Sequence, residues 1–233
     1  MSPRNPIAPG EFYHLYQRGV DGRVVFCDEA DHWRFIVLLH LANSSEKVRH
    51  EEVEKLSLRE VFELDRSERL VDIGAYCLMP NHFHILARER EDGNMATFMQ
   101  KVMTAYTMYF NRKNKRKGAL FGASYRAEHI SDDRYLKYMF SYIHLNPVSL
   151  IEPGWKIQGI KNFQRTKKYL EEYKYSSFLD YCSNSRPQGG ALTRSAFPDY
   201  FAVPGSFQAF IDEWISFSEL DKALFMPDEE REE

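Results

Sequence analysis

The chain has 233 residues, of which 43% are hydrophobic, 15% aromatic and 28% charged, a balance that excludes a disordered chain and supports a packed globular core without staples. No apolar run approaches the length a membrane-crossing helix needs, and the opening residues lack the apolar stretch of a secretory signal, so a cytoplasmic, reducing setting is expected. The net charge of −3 argues against a polyanion partner only until its distribution is considered. From Thr97 to Ala127 there is no Asp or Glu, and seven cations stand there: Lys101, Arg112, Lys113, Lys115, Arg116, Lys117 and Arg126. The rest of the chain is acidic, which leaves a polyanion one place to land. Cys27, Cys77 and Cys182 are too few and too scattered for a disulfide framework or a four-cysteine zinc site.

In chain order, Phe12 to Arg18 can alternate as a strand, and Gly19 to Gly22 reads as a turn into a second short strand near Phe26, an opening hairpin. Asp28 to Ala42 has helical spacing and acids in its first turn. Residues 44–69 are dominated by charge and read as a surface helical insertion. Val71 to Leu78 and His82 to Arg88 are strand-like runs, separated by Met79-Pro80-Asn81. Asn94 can cap a helix through about Arg112, and Ala123 to Ile130 is a further strand. Ser131 followed by Asp132 and Asp133 predicts a capped helix running to Asn146 before Pro147. The order predicts an α+β domain with a mostly antiparallel sheet. Beyond Pro153 and Gly154 the pattern is harder to read, with a last helix expected over Ser206 to Leu220 and an acidic tail over Pro227 to Glu233.

Two short motifs carry chemistry. In Asn81-His82-Phe83-His84-Ile85-Leu86 a period of two puts His82 and His84 on one face of a strand, with Phe83 and Ile85 turned into a core. Paired imidazoles suit a divalent metal, although structural or surface histidines have the same spacing. In Tyr142-Ile143-His144-Leu145-Asn146-Pro147 the phenol of Tyr142 and the amide of Asn146, four residues apart, share a helix face. An amide oxygen can be a third ligand for a hard cation, and a tyrosine beside a bound phosphate can attack phosphorus. Tyr135, Tyr138 and Tyr142 also recur at the spacing of an aromatic core stripe. His144 lies on the far side of the helix from Tyr142 and reads as structural or DNA-facing, Tyr138 is a reserve nucleophile, and Glu128-His129 is a paired strand segment, a proton-transfer group or an alternative ligand. His14 and His40 have no chemical reading from the sequence.

Met79-Pro80-Asn81-His82-Phe83-His84 and Tyr142-Ile143-His144-Leu145-Asn146-Pro147-Val148 resemble the two signatures of the single-tyrosine HUH transposases, in particular the REP-associated tyrosine transposase branch. Tyr13-His14 to Phe26, Phe98 to Asn111 and Gly118-Ala119-Leu120-Phe121 extend the resemblance over most of residues 11–150. It implies a ferredoxin-like (RRM-like) catalytic domain over residues 1–150, carrying the 44–69 insertion, with residues 151–233 as a C-terminal extension. It also implies cleavage and rejoining of single-stranded DNA near hairpins, in a homodimer that is nucleoid-associated when bound to DNA. Carried over position by position, His82 and His84 match the metal ligands for Mg²⁺ or Mn²⁺ and Tyr142 matches the nucleophile that forms a 5′-phosphotyrosine. Asn146 stands where the family has a polar third ligand, and asparagine rather than glutamine there leans towards a chromosomal role. Arg112, Lys113, Lys115, Arg116 and Lys117 would contact phosphates, with Arg126 as a clamp in the next strand. Tyr106, Tyr109, Phe110, Phe121 and Tyr125 could stack on bases, with core packing the plainer role. A catalytically inactive DNA- or RNA-binding regulator and a metal hydrolase using activated water are the competing readings.

Overall fold

The computed structural model describes residues 7–46, 53, 55–122, 124–182 and 186–216. β1 (Phe12–Arg18) leads to α1 (Glu29–Leu41), and a short α2 (Leu58–Glu63) precedes β2 (Val71–Met79) and β3 (His82–Glu89). α3 (Asn94–Lys113), β4 (Arg126–Ile130) and α4 (Asp133–Leu145) follow. The extension adds α5 (Trp155–Gln158), α6 (Phe163–Glu172), α7 (Phe178–Tyr181) and α8 (Ser206–Ser216). The four strands make one sheet in the order β2-β3-β1-β4, with every neighbouring pair antiparallel. This is the ferredoxin-like arrangement expected of the sequence, with α4 and the extension added to it.

The expected opening hairpin does not form. After Arg18 the chain makes a 3₁₀ turn over Val20–Gly22, with Asp21 at φ 55°. β1 is a central strand whose two edges are taken by β3 and β4, so no edge is left for the residues after the turn. Val25 and Phe26 instead bury their side chains and donate their backbone N–H groups to the Pro80 carbonyl.

Helix starts are shifted by a residue from the sequence expectation. The cap of α4 is Asp132, whose carboxylate accepts from Tyr135 N at 2.8 Å, rather than Ser131. At α3, Asn94 is the first helical residue and not the cap. Gly93 takes the cap position at φ 78°, and the Glu89 carboxylate accepts from Met95 N at 2.7 Å, so an acid from the end of β3 satisfies the helix start. α8 ends at Ser216, and the remainder of the expected last helix and the acidic tail lie outside the described residues.

Alternation along the strands divides the interior into two cores. Tyr13, Leu15, Ile73, Tyr76, Leu78, Phe83, Ile85 and Ala87 face α1 and α3, where Phe35, Phe98, Val102 and Tyr106 fill the layer. Ala75, Cys77, Met79 and Leu86 face the other way, against Met139, Phe140 and Ile143 of α4 and Trp155, Phe178, Phe207 and Trp214 of the extension. The sheet is therefore covered on both faces, and the extension is part of the second core. The 44–69 segment is more than a surface insertion: Ser57 and Glu60 form a capping box on α2, and Val61 and Phe62 are buried in the first core. Among the described residues no helix is long and apolar enough to cross a membrane.

Candidate active site

β3 delivers its histidines as the period of two requires. Phe83 and Ile85 are fully buried in the first core, and His82 and His84 emerge on the opposite face with ring centroids 4.9 Å apart. α4 crosses that face and sets Tyr142 edge-on to His84, with centroids 5.7 Å apart and planes at 89°. The expected histidine–tyrosine pairing is thus present in three dimensions. Asn146 caps α4 in helical geometry, and its Nδ2 donates to the Tyr142 carbonyl at 2.9 Å, which leaves Oδ1 as the lone-pair end of the amide.

A further residue joins this face. His14 of β1 is buried, its ring stacks on His84 with centroids 5.1 Å apart, and its Nε2 is 2.8 Å from His84 Nδ1. Tyr142 also meets it edge-on, with centroids 5.6 Å apart. Glu128 of β4 approaches His14 Nδ1 at 3.6 Å and accepts a short hydrogen bond from the Tyr16 hydroxyl. His82 is held separately: its Nδ1 is 2.6 Å from Asn81 Oδ1, and Asn81 Nδ2 donates to the Gly22 carbonyl at 3.3 Å.

Burial lowers the pKa of all three imidazoles. For His82 it falls to about 4, with the nearby charges of Arg18 and Lys156 adding to desolvation. His84 is held well below the ordinary histidine value by desolvation, with His14, His82 and Lys156 contributing. His14 is lowered by burial against the opposing pull of Glu128. Neutral imidazole is the form that binds a metal, and His84 Nε2 is buried with no hydrogen-bond partner. The residues present therefore fit a divalent cation held by imidazole nitrogens and an amide oxygen. Among the described residues no three His, Cys, Asp or Glu side chains form a metal-binding group.

Tyr142 is partly exposed, and Lys156 of α5 donates to its hydroxyl at 3.0 Å. Sequence reasoning passed over Lys156, although residues 153–170 hold Lys156, Lys161, Arg165, Lys167 and Lys168 with no acid, a second basic segment that was legible. Tyr138 is buried against Trp214, with centroids 5.2 Å apart, which suits a core residue better than a nucleophile. His144 is fully buried and bonded to the Phe140 carbonyl at 2.8 Å and to Ser177 Oγ at 2.7 Å, so it is structural and not DNA-facing. His129 pairs with Glu11 at 2.8 Å, and His40 is buried beside the Gly190 carbonyl.

The basic run divides into two kinds of cation. Lys113 Nζ lies 2.6 Å from carboxylate oxygens of both Asp28 and Asp31, the latter fully buried, so its charge anchors α3 to the start of α1. Arg116 is tied to Asn111 Oδ1 and the Ala119 carbonyl. Arg112, Lys115 and Lys117 are exposed, with side chains that make no hydrogen bond or ion pair among the described residues. Arg126 is exposed on β4, opposite Tyr16 in the register, and acts on the Tyr16 phenol. Tyr106, Phe110 and Phe121 are core residues, and Tyr109 and Tyr125 pack against that core.

A solved structure of a REP-associated tyrosine transposase bound to a REP hairpin superposes with a TM-score of 0.50 at 12% identity, covering 85% of this chain and 88% of that one. At that identity the likeness concerns the fold. No curated protein matches the chain. The family model of IS200-like transposases matches residues 28–146, a span that begins at the cap of α1, takes in both β3 histidines and ends on Asn146. That span is half the chain and holds the paired imidazoles together with the tyrosine α4 lays across them, so the chain belongs to the IS200-like transposase family.

Proposed function

We propose that this transposase cleaves and rejoins single-stranded DNA beside hairpins through a covalent tyrosine intermediate. The observation that carries the reading is the edge-on approach of Tyr142 to His84, whose buried Nε2 has no hydrogen-bond partner. Tyr142 Oη attacks the scissile phosphorus, the Oη–P bond forms as the P–O3′ bond breaks, and the phenol proton is lost to solvent while O3′ takes one up. The product is a 5′-phosphotyrosine and a free 3′-OH. Attack by another strand's 3′-OH reverses these bond changes and rejoins DNA without ATP. His82, His84 and Asn146 would hold Mg²⁺ or Mn²⁺, which when bound supplies Lewis-acid polarisation of the phosphate. Lys156 stabilises negative charge on Oη, both as attacking group and as leaving group in rejoining.

Arg112, Lys115, Lys117 and Arg126 supply phosphate contacts that position the strand without specifying sequence. A homodimer working on DNA in the nucleoid accompanies this reading. It is tested by mixing the protein, Mn²⁺ and labelled hairpin-bearing single strands from the flanks of its own gene, then resolving the products on a denaturing gel. A labelled covalent adduct, abolished by EDTA and by Tyr142→Phe, is expected. Cleavage without an adduct that survives Tyr142→Phe would establish a hydrolase instead, and binding without cleavage would favour a regulatory module.

A further inference from the structure

We propose that the Glu128 carboxylate, acting electrostatically through His14, fixes the tautomer of His84 and turns its bare Nε2 to the cation position, an inference that rests on the metal-site reading above. Glu128 is steadied by the Tyr16 hydroxyl, which donates to Oε1. Its Oε2 faces His14 Nδ1 at 3.6 Å, an ion-pair rather than a hydrogen-bond distance, and that buried nitrogen has no hydrogen-bond partner. A carboxylate only accepts, so the proton of neutral His14 belongs on Nδ1 and Nε2 carries the lone pair. His14 Nε2 is 2.8 Å from His84 Nδ1. With His14 as acceptor, the shared proton is that of His84 Nδ1, and His84 Nε2 is left bare. The reverse order would set the His14 lone pair against the carboxylate.

Sheet register builds this arrangement. His14 is directly opposite Glu128 in the β1–β4 pairing, while Tyr16, on the same face of β1, is opposite His84 in the β1–β3 pairing. His14 and His84 are therefore diagonal neighbours, within reach of two rings. The second ligand histidine is set by a different device with the same result. Asn81 Nδ2 is engaged by the Gly22 carbonyl, so Oδ1 accepts from His82 Nδ1 and leaves Nε2 of that ring unprotonated as well. Partners on the far nitrogen of a ligand histidine orient the ring, and their removal commonly weakens metal affinity about 10- to 100-fold.

The test reads the metal-free protein first. Long-range proton–nitrogen correlation spectra of ¹⁵N-histidine-labelled protein near neutral pH are expected to show His84 protonated on Nδ1. Manganese binding is then followed by the loss of the free-ion EPR signal, without DNA. His14→Phe keeps a ring in place and is expected to weaken Mn²⁺ binding about 10- to 100-fold and to let the Nε2–H tautomer of His84 appear. Glu128→Leu should act in the same direction, and it decides the matter if His14→Phe fails to fold. An Nε2–H tautomer of His84 in the wild type overturns the proposal, as does Mn²⁺ affinity unchanged within about twofold in every folded variant. If the wild type takes up no Mn²⁺, the cation reading fails alone, and the tautomer spectrum still decides the role of Glu128 and His14.

Discussion

Lys156 Nζ donates to Tyr142 Oη at 3.0 Å and lies 4.4 Å from the centroid of the same ring. The two residues come from different parts of the chain, Tyr142 from α4 and Lys156 from the extension, so the extension contributes directly to the candidate nucleophile. An ammonium at that oxygen favours phenolate character as the bond to phosphorus forms. Lys156 is exposed, which screens the effect, and Lys156→Met is expected to slow adduct formation by roughly tenfold, well short of a buried oxyanion donor. Lys156→Arg should retain most of the rate. Single-turnover gels at saturating Mn²⁺ make the comparison.

Removing either imidazole should separate metal uptake from folding. His82→Ala and His84→Ala are each expected to weaken Mn²⁺ binding by more than about 100-fold, beyond the loss typical of an outer partner. His82 is only half-buried, so thermal stability should change little there. EPR titration and thermal melts on the same samples check both statements.

The basic run predicts two different phenotypes. Lys113→Gln leaves the buried Asp31 carboxylate without its ammonium and should destabilise the fold by about 2 kcal/mol, a figure below the usual cost of breaking a buried pair because Lys113 itself is partly exposed. Lys115→Gln and Lys117→Gln should leave stability unchanged and each lower the salt slope of single-strand binding by about 1. Urea midpoints and fluorescence anisotropy over a salt series distinguish them.

Acid should weaken the fold through its buried histidines. Burial pushes His144 down to about 3, with the Phe140 carbonyl opposing and Arg186 adding to the effect. His40 is pushed down to about 4 by burial, with Arg66 reinforcing it. Unfolded histidine takes up its proton near 6.5, so the unfolded state binds more protons as pH falls below that value. The stability these neutral rings hold above 6.5 is therefore lost between 6.5 and about 4 for His40 and between 6.5 and about 3 for His144. The urea midpoint is expected to drop between pH 7.5 and 5, and His144→Gln should start lower at pH 7.5 and fall less steeply.

Gly74 sits at the irregularity in the β2–β3 register, where a Cβ would come within 2.6 Å of the Phe197 ring. Gly74→Ala should displace Phe197 and loosen the packing of the extension on the sheet. Faster proteolysis beyond residue 190, measured against wild type, is the expected sign.

Local periodicity alone determined much of the chemistry. A period of two brought His82 and His84 to one face, a period of 3.6 aligned Tyr142 with Asn146, and the order of strands and helices indicated an antiparallel α+β sheet. These relations span a few residues each, and backbone geometry enforces them whatever the surroundings. Tertiary structure decided the rest. His14 reaches His84, and Glu128 faces His14, only because β1 inserts between β3 and β4, the first contact joining residues 70 apart in the chain. That insertion also removed the expected hairpin, since a central strand has no free edge. Lys113 became a structural cation because α1 presents buried Asp31 to it, and Lys156 became a site residue because the extension folds over α4. Contacts of this kind depend on which faces meet when distant segments bury their apolar surface, and that choice is made by the whole core rather than by any window of sequence.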